Sequence, residues 1–375
     1  MRIICGKSAL VEGINIASKA VSAKASMPIL ECCLLTAKRN DSGDGSFTLM
    51  ANDMELAIET KPIEADILEE GSVALDSRMF FDIIRRLPGN AVEITSDDKN
   101  LTVIRSDKSE FKVLGHDGGE FPVIPDLGDD DEKFYTMPAA EFKNMIRQTI
   151  FSISTDISRP ALCGELLDID EDSVKMVSVD NTRLSLRKYD FDNAVGPAKV
   201  IIPGKTLNEI SKILPADTDA TISFRATDKH ILFNLDSSVV VSRLLEGDFI
   251  NYENMFANQP ETKIAVDRAE LLECIERASL ISRDTKRSPI KLKFEDGQII
   301  ITCNTEMGTS YEEITVEQDG PGLEIGFNSK FITDVLKVLE HDRVVLELTS
   351  SLSPCIIKVE GSDEYKYFVL PRRLR

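Results

Sequence analysis

SRMFFDIIRRL, at residues 77–87, decides the fold because the chain repeats this pattern twice more. GKTLNEISKIL at 204–214 and SKFITDVLKVL at 329–339 align with it without a gap, starting 127 and then a further 125 residues along the chain. Basic, acidic and apolar positions recur in step in all three segments. Amphipathic stretches that open near Ser8, Ala139 and Arg268 repeat with a period of about 130 residues. Two independent markers with one period predict three copies of one domain.

The length and composition agree with three domains. The chain has 375 residues, of which 42% are hydrophobic and 29% are charged. Three domains of roughly 100 to 200 residues can each bury a core of their own. We expect them at 1–125, 126–255 and 256–375. No apolar run reaches the roughly 18 residues that a membrane span needs, and residues 1–7 lack the apolar core of a signal peptide. We therefore expect a cytoplasmic protein without a membrane segment.

Each copy reads as two helices with several strands. In the first helix, apolar residues recur at helical spacing from Leu10 to Val21, and Ser8 is the expected N-cap. In the second helix, Phe80, Ile84 and Leu87 continue an apolar stripe that Pro88 and Gly89 end. Short alternating runs separated by Asn, Asp, Gly and Ser predict strands at 47–50, 56–60, 91–94, 101–104 and 110–114, with similar runs at 220–224, 231–233 and 239–241. The pattern predicts an α+β fold, with two helices packed on antiparallel sheet in each domain.

A linker is predicted at 121–132, which contains prolines, a glycine and four consecutive acids at 129–132. Consecutive acids on a loop are more typical of a solvated linker than of a divalent-cation site, so we predict no metal. The seven cysteines are odd in number, scattered and mostly embedded in apolar patterns. This distribution favours buried free thiols over disulfides or a metal site.

The sequence offers little that is typical of catalysis. Its three histidines lie far apart, with no pair at metal-ligand spacing. Gly6-Lys7-Ser8 and Gly204-Lys205-Thr206 look like the end of a phosphate-binding loop, but Met1 and Lys199 occupy the position of the earlier glycine that such a loop requires. Both are better explained as strand-to-helix turns with an N-cap hydroxyl. We predict no catalytic residues and no cofactor.

Positive charge is concentrated on the predicted helices. The segments 8–21, 78–87, 139–152, 205–214, 268–283 and 330–339 together hold 13 Lys and Arg against 8 Asp and Glu, a net +5. The rest of the chain must then carry −25 to give the overall charge of −20. On one helix such charges usually mark a solvent face with i,i+4 ion pairs. Their repetition in an acidic protein instead indicates a surface that meets a polyanion.

At several places the residues match one family. MPIL at 27–30, RMFFD at 78–82, VIIPGK at 200–205, LEIGFN at 323–328 and YFVLPRRL at 367–374 carry the match. Over its whole length the chain resembles the bacterial sliding clamps, the beta subunits of DNA polymerase III. The resemblance implies a non-catalytic processivity factor. Two chains would close head to tail into a ring of six domains, each chain forming half of it, with the helices around a central hole.

The resemblance also implies where DNA and the second chain bind. Lys24, Arg78 and Lys205 would face duplex DNA in the hole and contact it without regard to sequence. Lys24 is lysine where the family commonly has arginine, which keeps the charge but not bidentate phosphate contact. The homodimer interface would place Phe111 and Val113 of an edge strand near Leu280 and Ile281 of the other chain. Apolar residues at such edges are consistent with strand pairing between chains.

A peptide-binding pocket is the second function that the resemblance implies. Its partners would be the DNA polymerase III catalytic subunit, the clamp loader, and other polymerases and repair proteins that carry clamp-binding peptides. The matching positions are Leu162, Arg183, Leu184, Ile250, Asn254, Met255, Asn328, Phe331, Leu352, Pro354, Phe368, Val369, Leu370, Pro371, Arg372 and Arg373. Apolar members would receive Leu and Phe anchors of the peptide, and arginines at the rim would bind carbonyls or an acidic residue.

Four positions depart from the family pattern. Val179, Thr182, Asn254 and Arg372 stand where the family often has Thr, His, Arg and Met, so the peptide preference stays open. Without the resemblance, a cluster of Leu, Ile, Met and Phe more often indicates core. Two other functions also remain on sequence grounds alone: an enzyme that uses the acids at 129–132, and a protein-only scaffold whose basic helices face solvent.

Overall fold

The structure is a computed structural model that describes residues 1–22, 27–39, 45–124, 134–191, 196–215, 219–257, 259–282 and 289–374. Within these ranges, each third of the chain contains two α-helices, as the repeat predicts. They are α1 (Lys7–Ala17), α2 (Ser77–Arg86), α3 (Ala139–Thr149), α4 (Gly204–Ile213), α5 (Arg268–Ala278) and α6 (Ser329–Val338).

The strands up to residue 138 are β1 (Arg2–Gly6), β2 (Cys32–Arg39), β3 (Gly45–Asn52), β4 (Leu56–Thr60), β5 (Ala65–Glu69), β6 (Gly71–Asp76), β7 (Ala91–Ser96), β8 (Leu101–Ser106), β9 (Ser109–Leu114), β10 (His116–Asp117) and β11 (Tyr135–Pro138). Those of the middle of the chain are β12 (Gly164–Ile169), β13 (Ser173–Val179), β14 (Arg183–Asp190), β15 (Ala198–Pro203), β16 (Thr221–Ala226), β17 (His230–Asn234) and β18 (Ser238–Arg243).

The remaining strands are β19 (Thr262–Asp267), β20 (Ile290–Glu295), β21 (Gln298–Thr305), β22 (Gly308–Thr315), β23 (Glu317–Asp319), β24 (Leu323–Phe327), β25 (Arg343–Leu348), β26 (Cys355–Val359) and β27 (Tyr365–Val369). The predicted α+β fold and its strand runs are confirmed.

Side-chain caps define where three of the helices begin. Asp76, Asp267 and Asn328 each accept a hydrogen bond from a backbone N–H of the first helical turn, which satisfies a donor that the helix leaves open. The expected Ser8 cap on α1 is wrong. The helix already begins at Lys7, Gly6 is its N-cap, and no side chain caps it. Lys7 Nζ donates a hydrogen bond to the carbonyl of Leu87. The lysine of the Gly6-Lys7-Ser8 segment therefore has a partner within the chain and is not explained by phosphate binding.

Two compact units make up the chain, and the first comprises residues 1–142 and 209–244. It holds a five-stranded sheet in the order β5-β1-β7-β8-β9 and a nine-stranded sheet in the order β10-β6-β2-β3-β4-β18-β17-β16-β11. Leu10, Ile14 and Ala17 of α1 and Phe80 and Ile84 of α2 are fully buried in its core. The apolar stripes found in the sequence therefore are the faces on which these helices pack.

The second unit comprises residues 143–208 and 245–375. Its nine-stranded sheet has the order β15-β12-β13-β14-β27-β26-β25-β19-β23, and a four-stranded sheet has the order β22-β21-β20-β24. Its largest core cluster packs Leu271 and Ile275 of α5 and Ile332 and Leu336 of α6 against the strands.

The sequence repeat does not divide the chain where the compact units do. Residues of the middle third contribute to both units, because β4 of the first third pairs with β18, and β14 pairs with β27 of the last third. The boundaries at 125/126 and 255/256 therefore stay a prediction.

We call the β4–β18 pairing the first joint and the β14–β27 pairing the second joint. The strands of the second joint begin 127 residues after those of the first, Arg183 after Leu56 and Tyr365 after Ser238. Both pairings are antiparallel.

Local hydrogen bonds repeat at the two joints as well. In the turn before β4, Asp53 Oδ1 accepts from the N–H groups of Glu55 and Leu56. In the turn before β14, Asp180 Oδ1 accepts from those of Thr182 and Arg183.

One further backbone bond completes the match. Arg243 N donates to Glu55 O at 2.8 Å at the first joint, and Leu370 N donates to Thr182 O at 2.8 Å at the second. The joints are therefore two copies of one local structure.

The cysteines are free thiols, as predicted; six are buried and Cys163 is partly exposed. Burial raises the pKa of Cys5 to about 12 and that of Cys32 to about 11, so both thiols stay protonated at neutral pH. Within the described ranges, no helix is both long and apolar enough to cross a membrane.

Candidate peptide cleft and DNA-facing helices

Five of the predicted pocket residues form one apolar cluster at the second joint. Leu162, Leu184 and Phe368 are buried in it, and Ile250 and Met255 pack against them. Leu162 lies on the 3-10 turn Pro160–Cys163, while Leu184 and Phe368 are directly paired neighbours on β14 and β27. We call this cluster, with the C-terminal segment 370–374, the second-joint cleft.

The loop that supplies Ile250 and Met255 is anchored by Tyr252, which the sequence analysis missed. Tyr252 is buried, and its hydroxyl donates to Asp168 Oδ2 at 2.8 Å. Lys199 Nζ lies 2.8 Å from the same carboxylate oxygen. Burial and the hydrogen bond to Asp168 raise the pKa of Tyr252. Its place between Ile250 and Met255 in the sequence was the available signal, since a buried tyrosine usually finds a partner for its hydroxyl.

Arg183 does not lie at the rim, contrary to expectation. Its Nε donates to Asp180 Oδ2 at 3.0 Å, its Nη1 to Asp334 Oδ2 at 2.7 Å, and its Nη2 to the carbonyl of Phe151. The guanidinium carbon also lies 4.6 Å from the centre of the Phe331 ring. A guanidinium with these partners positions the strand and helix around it.

Asp334 illustrates what the sequence pattern could not show. The repeat placed it on the charged face of α6, and Lys330 Nζ does pair with it at 2.7 Å, as an i,i+4 pair should. Its side chain is nevertheless mostly buried, because it also binds Arg183. Asn328 caps α6, and Phe331 lies in the first turn of that helix, partly buried against the core of the last third.

Val369 is the second correction within the predicted pocket. It is buried in the core cluster that surrounds α5 and α6, whereas its neighbour Phe368 belongs to the cleft cluster. Successive side chains of a strand point to opposite faces of the sheet, so both cannot line one cleft.

The C-terminal segment after β27 runs beside β24. Arg372 N donates to Gly326 O at 2.8 Å, and a Cβ at Gly326 would lie 2.7 Å from both Arg372 O and a side-chain carbon of Leu374. Only glycine allows this approach without displacement. Leu370, Arg372 and Arg373 are exposed, and Pro371 is partly exposed.

The remaining predicted pocket residues lie around this cluster. Met255 and Pro354 line one cavity of about 20 Å³ with Ile356. Leu352 and Asn254 are exposed. Thr182 Oγ1 donates to Asp180 Oδ1 at 2.7 Å, and Val179 is buried in the cleft cluster. Of the departures from the family pattern, Thr182 thus belongs to the turn before β14 and Val179 to the buried cluster.

Two of the three predicted DNA-facing residues can be placed. Arg78 and Lys205 are exposed, and each is the second residue of its helix, α2 or α4. Arg78 borders a groove of about 590 Å³ in the first unit, together with Asp82 and Arg85. Lys24 lies outside the described residues.

The predicted dimer residues lie at the edges of two sheets. Phe111 is on β9, the edge strand of the five-stranded sheet, and is 41% exposed. Val113 is 6% exposed because its side chain turns into the core of its own sheet. Leu280 is 50% exposed, and Ile281 packs against the core beside it. Leu114 on β9, at 73%, is more exposed than either predicted residue of that strand.

Among the described residues, no group of three His, Cys, Asp or Glu side chains is placed to hold a metal ion. The acidic run 129–132 lies outside them.

Comparison with known families gives a match in each third of the chain. The models of the N-terminal, central and C-terminal domains of the DNA polymerase III beta subunit match residues 1–125, 136–251 and 253–373. The chain belongs to the bacterial beta sliding clamp family. The beta sliding clamp of Staphylococcus aureus is 33% identical to this clamp over 369 residues, which is 96% of each chain.

Solved structures give the same result. A putative DNA polymerase III beta subunit from Eubacterium rectale is 38% identical to this clamp, with a TM-score of 0.94 and 100% of both chains covered. The DNA polymerase sliding clamp of Bacillus subtilis is 32% identical, with the same TM-score and coverage. The clamp is thus a processivity factor for DNA polymerase, a non-catalytic accessory subunit. Members of its family form ring dimers around DNA and tether DNA polymerase III and other proteins.

Proposed function

We propose that the second-joint cleft binds short linear peptides of the DNA polymerase III catalytic subunit, the clamp loader, and other polymerases and repair proteins. The observation that carries this proposal is the convergence of Leu162, Leu184, Phe368, Ile250 and Met255 in one cluster beside an exposed chain end. We also place the clamp in the cytoplasm.

The C-terminal segment supports this assignment. A chain end is normally poorly ordered unless it is held in place. Here Leu370 and Arg372 each donate a backbone hydrogen bond, to Thr182 and Gly326. The segment is therefore fixed at one side of the apolar cluster, where it can form the wall of a peptide site.

The apolar floor sets the expected affinity. Burial of one Leu and one Phe anchor contributes roughly 3 to 6 kcal/mol before the cost of ordering the peptide. Taken alone, this corresponds to a Kd between the millimolar range and tens of micromolar, and backbone hydrogen bonds offset part of the ordering cost. Met and aliphatic side chains suit such a site because they adapt to different anchors.

Fluorescence anisotropy with a labelled Gln-Leu-Ser-Leu-Phe peptide tests the site. Deletion of residues 370–375 should abolish binding while the protein remains a folded dimer. Met255→Ala should weaken binding about tenfold, because it removes one apolar contact worth roughly 1.4 kcal/mol. Met54→Ala, at the first joint, is the matched control and should leave the affinity unchanged. Equal affinity for the intact and truncated proteins would show that the peptide binds elsewhere.

We further propose that Lys24, Arg78 and Lys205 contact the phosphates of encircled duplex DNA. The exposure of Arg78 and Lys205 at matching positions of α2 and α4 supports this role. A few cations in an otherwise acidic protein attract DNA without creating a deep minimum at any one sequence.

Replacement of all three by Glu should shorten retention on closed circular DNA and reduce the salt dependence of retention. Lys38, Lys99 and Lys263→Glu make the same charge change at exposed positions away from β9 and serve as the control. Unchanged salt dependence in the variant of Lys24, Arg78 and Lys205 would show that these residues do not contact DNA.

The ring of this clamp would close through β9 of one chain and the region of Leu280 and Ile281 of the other, with Phe111, Val113 and Leu114 on the β9 side. Exposed apolar residues at both edges support this arrangement, since pairing protects an open sheet edge.

Light scattering of Leu280→Asp and Phe111→Asp should show monomers. Leu352→Asp, which changes an exposed leucine elsewhere, should remain dimeric. A dimer of unchanged mass in both edge variants would assign the interface to other residues.

A further inference from the structure

The first joint has a cleft of its own, of about 250 Å³. The turn before β4, the segment Pro122–Val123 and the ends of β17 and β18 surround it. Met54 and Val123 contribute apolar side chains, while Lys229, His230 and Arg243 contribute basic ones. We call it the first-joint cleft.

The apolar side chains of this cleft are largely exposed to solvent. Met54 is 56% exposed and Val123 is 84% exposed. Met54 also has a positive φ of 74°, a conformation that a methionine rarely adopts. The N–H of Met54 donates to Asn52 Oδ1 at 2.8 Å, and Asn52 Nδ2 donates to Pro122 O at 3.3 Å. The backbones of Met54 and of Pro122, the residue before Val123, are thus both hydrogen-bonded to the Asn52 side chain.

The charge of the cleft differs from that of the chain around it. The protein carries a net −20, yet three basic side chains and one acid, Glu55, border this cleft. Lys229 and Arg243 are exposed, and His230 is partly exposed. An acidic ligand would meet a local attraction here and repulsion over much of the remaining surface.

Because the backbones of the two joints match, residues of the first-joint cleft have counterparts at the second joint. Met54 corresponds to Asn181, since each follows the aspartate of its turn, and Arg243 corresponds to Leu370 through the matching backbone bond. The first joint therefore has its apolar residue on the turn and its cation at the strand end. The second joint has Leu370 at the strand end.

We propose that the first-joint cleft binds a partner protein through an acidic linear peptide with a single aliphatic anchor. The anchor packs against Met54 and Val123, and acidic residues on either side face Lys229, His230 and Arg243. Apolar contact favours a peptide over a nucleic acid, and the cations Lys229 and Arg243 select an acidic one. The inference does not rest on peptide binding at the second joint.

Methyl NMR of the full chain with carbon-13 methyl-labelled methionine tests the proposal, because Met54 reports on the first joint and Met255 on the second. Met54→Leu and Met255→Leu assign the two signals. The probe is acetyl-Asp-Glu-Leu-Asp-Glu-amide, and acetyl-Asn-Gln-Leu-Asn-Gln-amide is its neutral counterpart. The acidic peptide should shift the Met54 signal with a submillimolar Kd and leave that of Met255 in place.

Lys229→Glu with Arg243→Glu should weaken this binding at least tenfold. Lys99→Glu with Lys108→Glu makes the same charge change elsewhere and should leave it unaltered.

An unmoved Met54 signal, or equal shifts with the neutral peptide or in both charge variants, would overturn the proposal. Tighter binding of a ten-nucleotide oligothymidylate would assign the cleft to polyanions instead. A Met54 shift that depends on protein concentration alone would assign it to a second copy of the chain. Either result would also overturn the proposal.

Discussion

The two joints share a backbone and differ in the side chains placed on it. Each has an aspartate-centred turn, an antiparallel strand pair and the same backbone bond at the strand end. At the second joint the first residue of the paired strand is Arg183, which is bound to two carboxylates. At the first joint the matching residue is Leu56, which is buried. The repeat therefore determines the backbone of a site, while a few residue differences between the joints determine its chemistry.

The strongest test of this difference is Arg183→Leu, which gives the second joint the side chain of the first. It should cost about 3 kcal/mol in unfolding free energy, because Asp180 and Asp334 lose a largely buried cation. Chemical denaturation measures the loss. Arg183→Leu with Asp334→Leu should recover much of it, since the carboxylate is then removed as well. A single variant as stable as the parent would mean that the ion pairs contribute little.

A buried carboxyl on β12, two strands from β14 in the sheet of the second joint, has no counterpart at the matching position of the first unit. Glu165, the second residue of β12, is fully buried, and burial raises its pKa to about 8. Cys33, the second residue of β2, holds the corresponding place near the first joint. Thr149 Oγ1 lies 2.7 Å from both Met145 O and Glu165 Oε2. With one proton it can donate to only one of them, so a protonated Glu165 fits this chain of bonds.

Glu165→Gln should therefore change stability with pH. The raised pKa gives the parent its full stabilisation below about pH 4.5, and this is lost as pH rises towards 8. The variant has no such loss, so its Tm relative to the parent should rise between pH 5 and 8 and level off above that. We expect a change of roughly 3 to 4 kcal/mol over this range, because each unit of pKa shift corresponds to about 1.4 kcal/mol. Cys33→Ser serves as the comparison and should show no such trend below pH 9. A constant Tm difference for Glu165→Gln would contradict the raised pKa.

A smaller effect separates the two turns. Asp53→Ala removes an acceptor of two backbone N–H groups and should cost about 1 kcal/mol. Asp180→Ala removes the two corresponding bonds, the bond from Thr182 Oγ1 and the Arg183 ion pair, so it should cost about 2 kcal/mol. Thermal unfolding of both variants gives the difference. Equal costs would show that Asp180 acts through the turn alone.

The smallest expected effect concerns the chain end, which only the second joint has. Gly326→Ala should displace Arg372 and Leu374 and weaken peptide binding several-fold, at about 1 kcal/mol. Gly6→Ala is the control, because a Cβ there has no heavy atom within 4 Å outside the neighbouring residues. Anisotropy measures both. Unchanged affinity in Gly326→Ala would mean that the segment is not held by its contact with β24.

Much of this could be predicted from the sequence, and the failures have physical causes. Period-2 and period-3.6 patterns identified the helices and strands because each has one buried face. The repeat also placed Asp334 on the charged face of α6. Helical periodicity shows on which face a residue lies, but it does not show that contact with Arg183 buries Asp334. Val369 was misplaced because a list of neighbouring residues ignores the alternation along β27. Tyr252 and Asp168 lie 84 residues apart in the chain, a separation at which no local pattern relates them.

The pairing of strands across the joints also sets an order of events during synthesis. Thr60, at the end of β4, precedes Ser238, its partner on β18, by 178 residues. At roughly 5 to 20 residues per second, a ribosome needs on the order of 10 to 35 seconds to make that interval. Until then β4 is an open edge on the nascent chain, and the same holds for β14 until β27 emerges. Each joint therefore closes late, and a chain interrupted before residue 365 would leave the second edge uncovered.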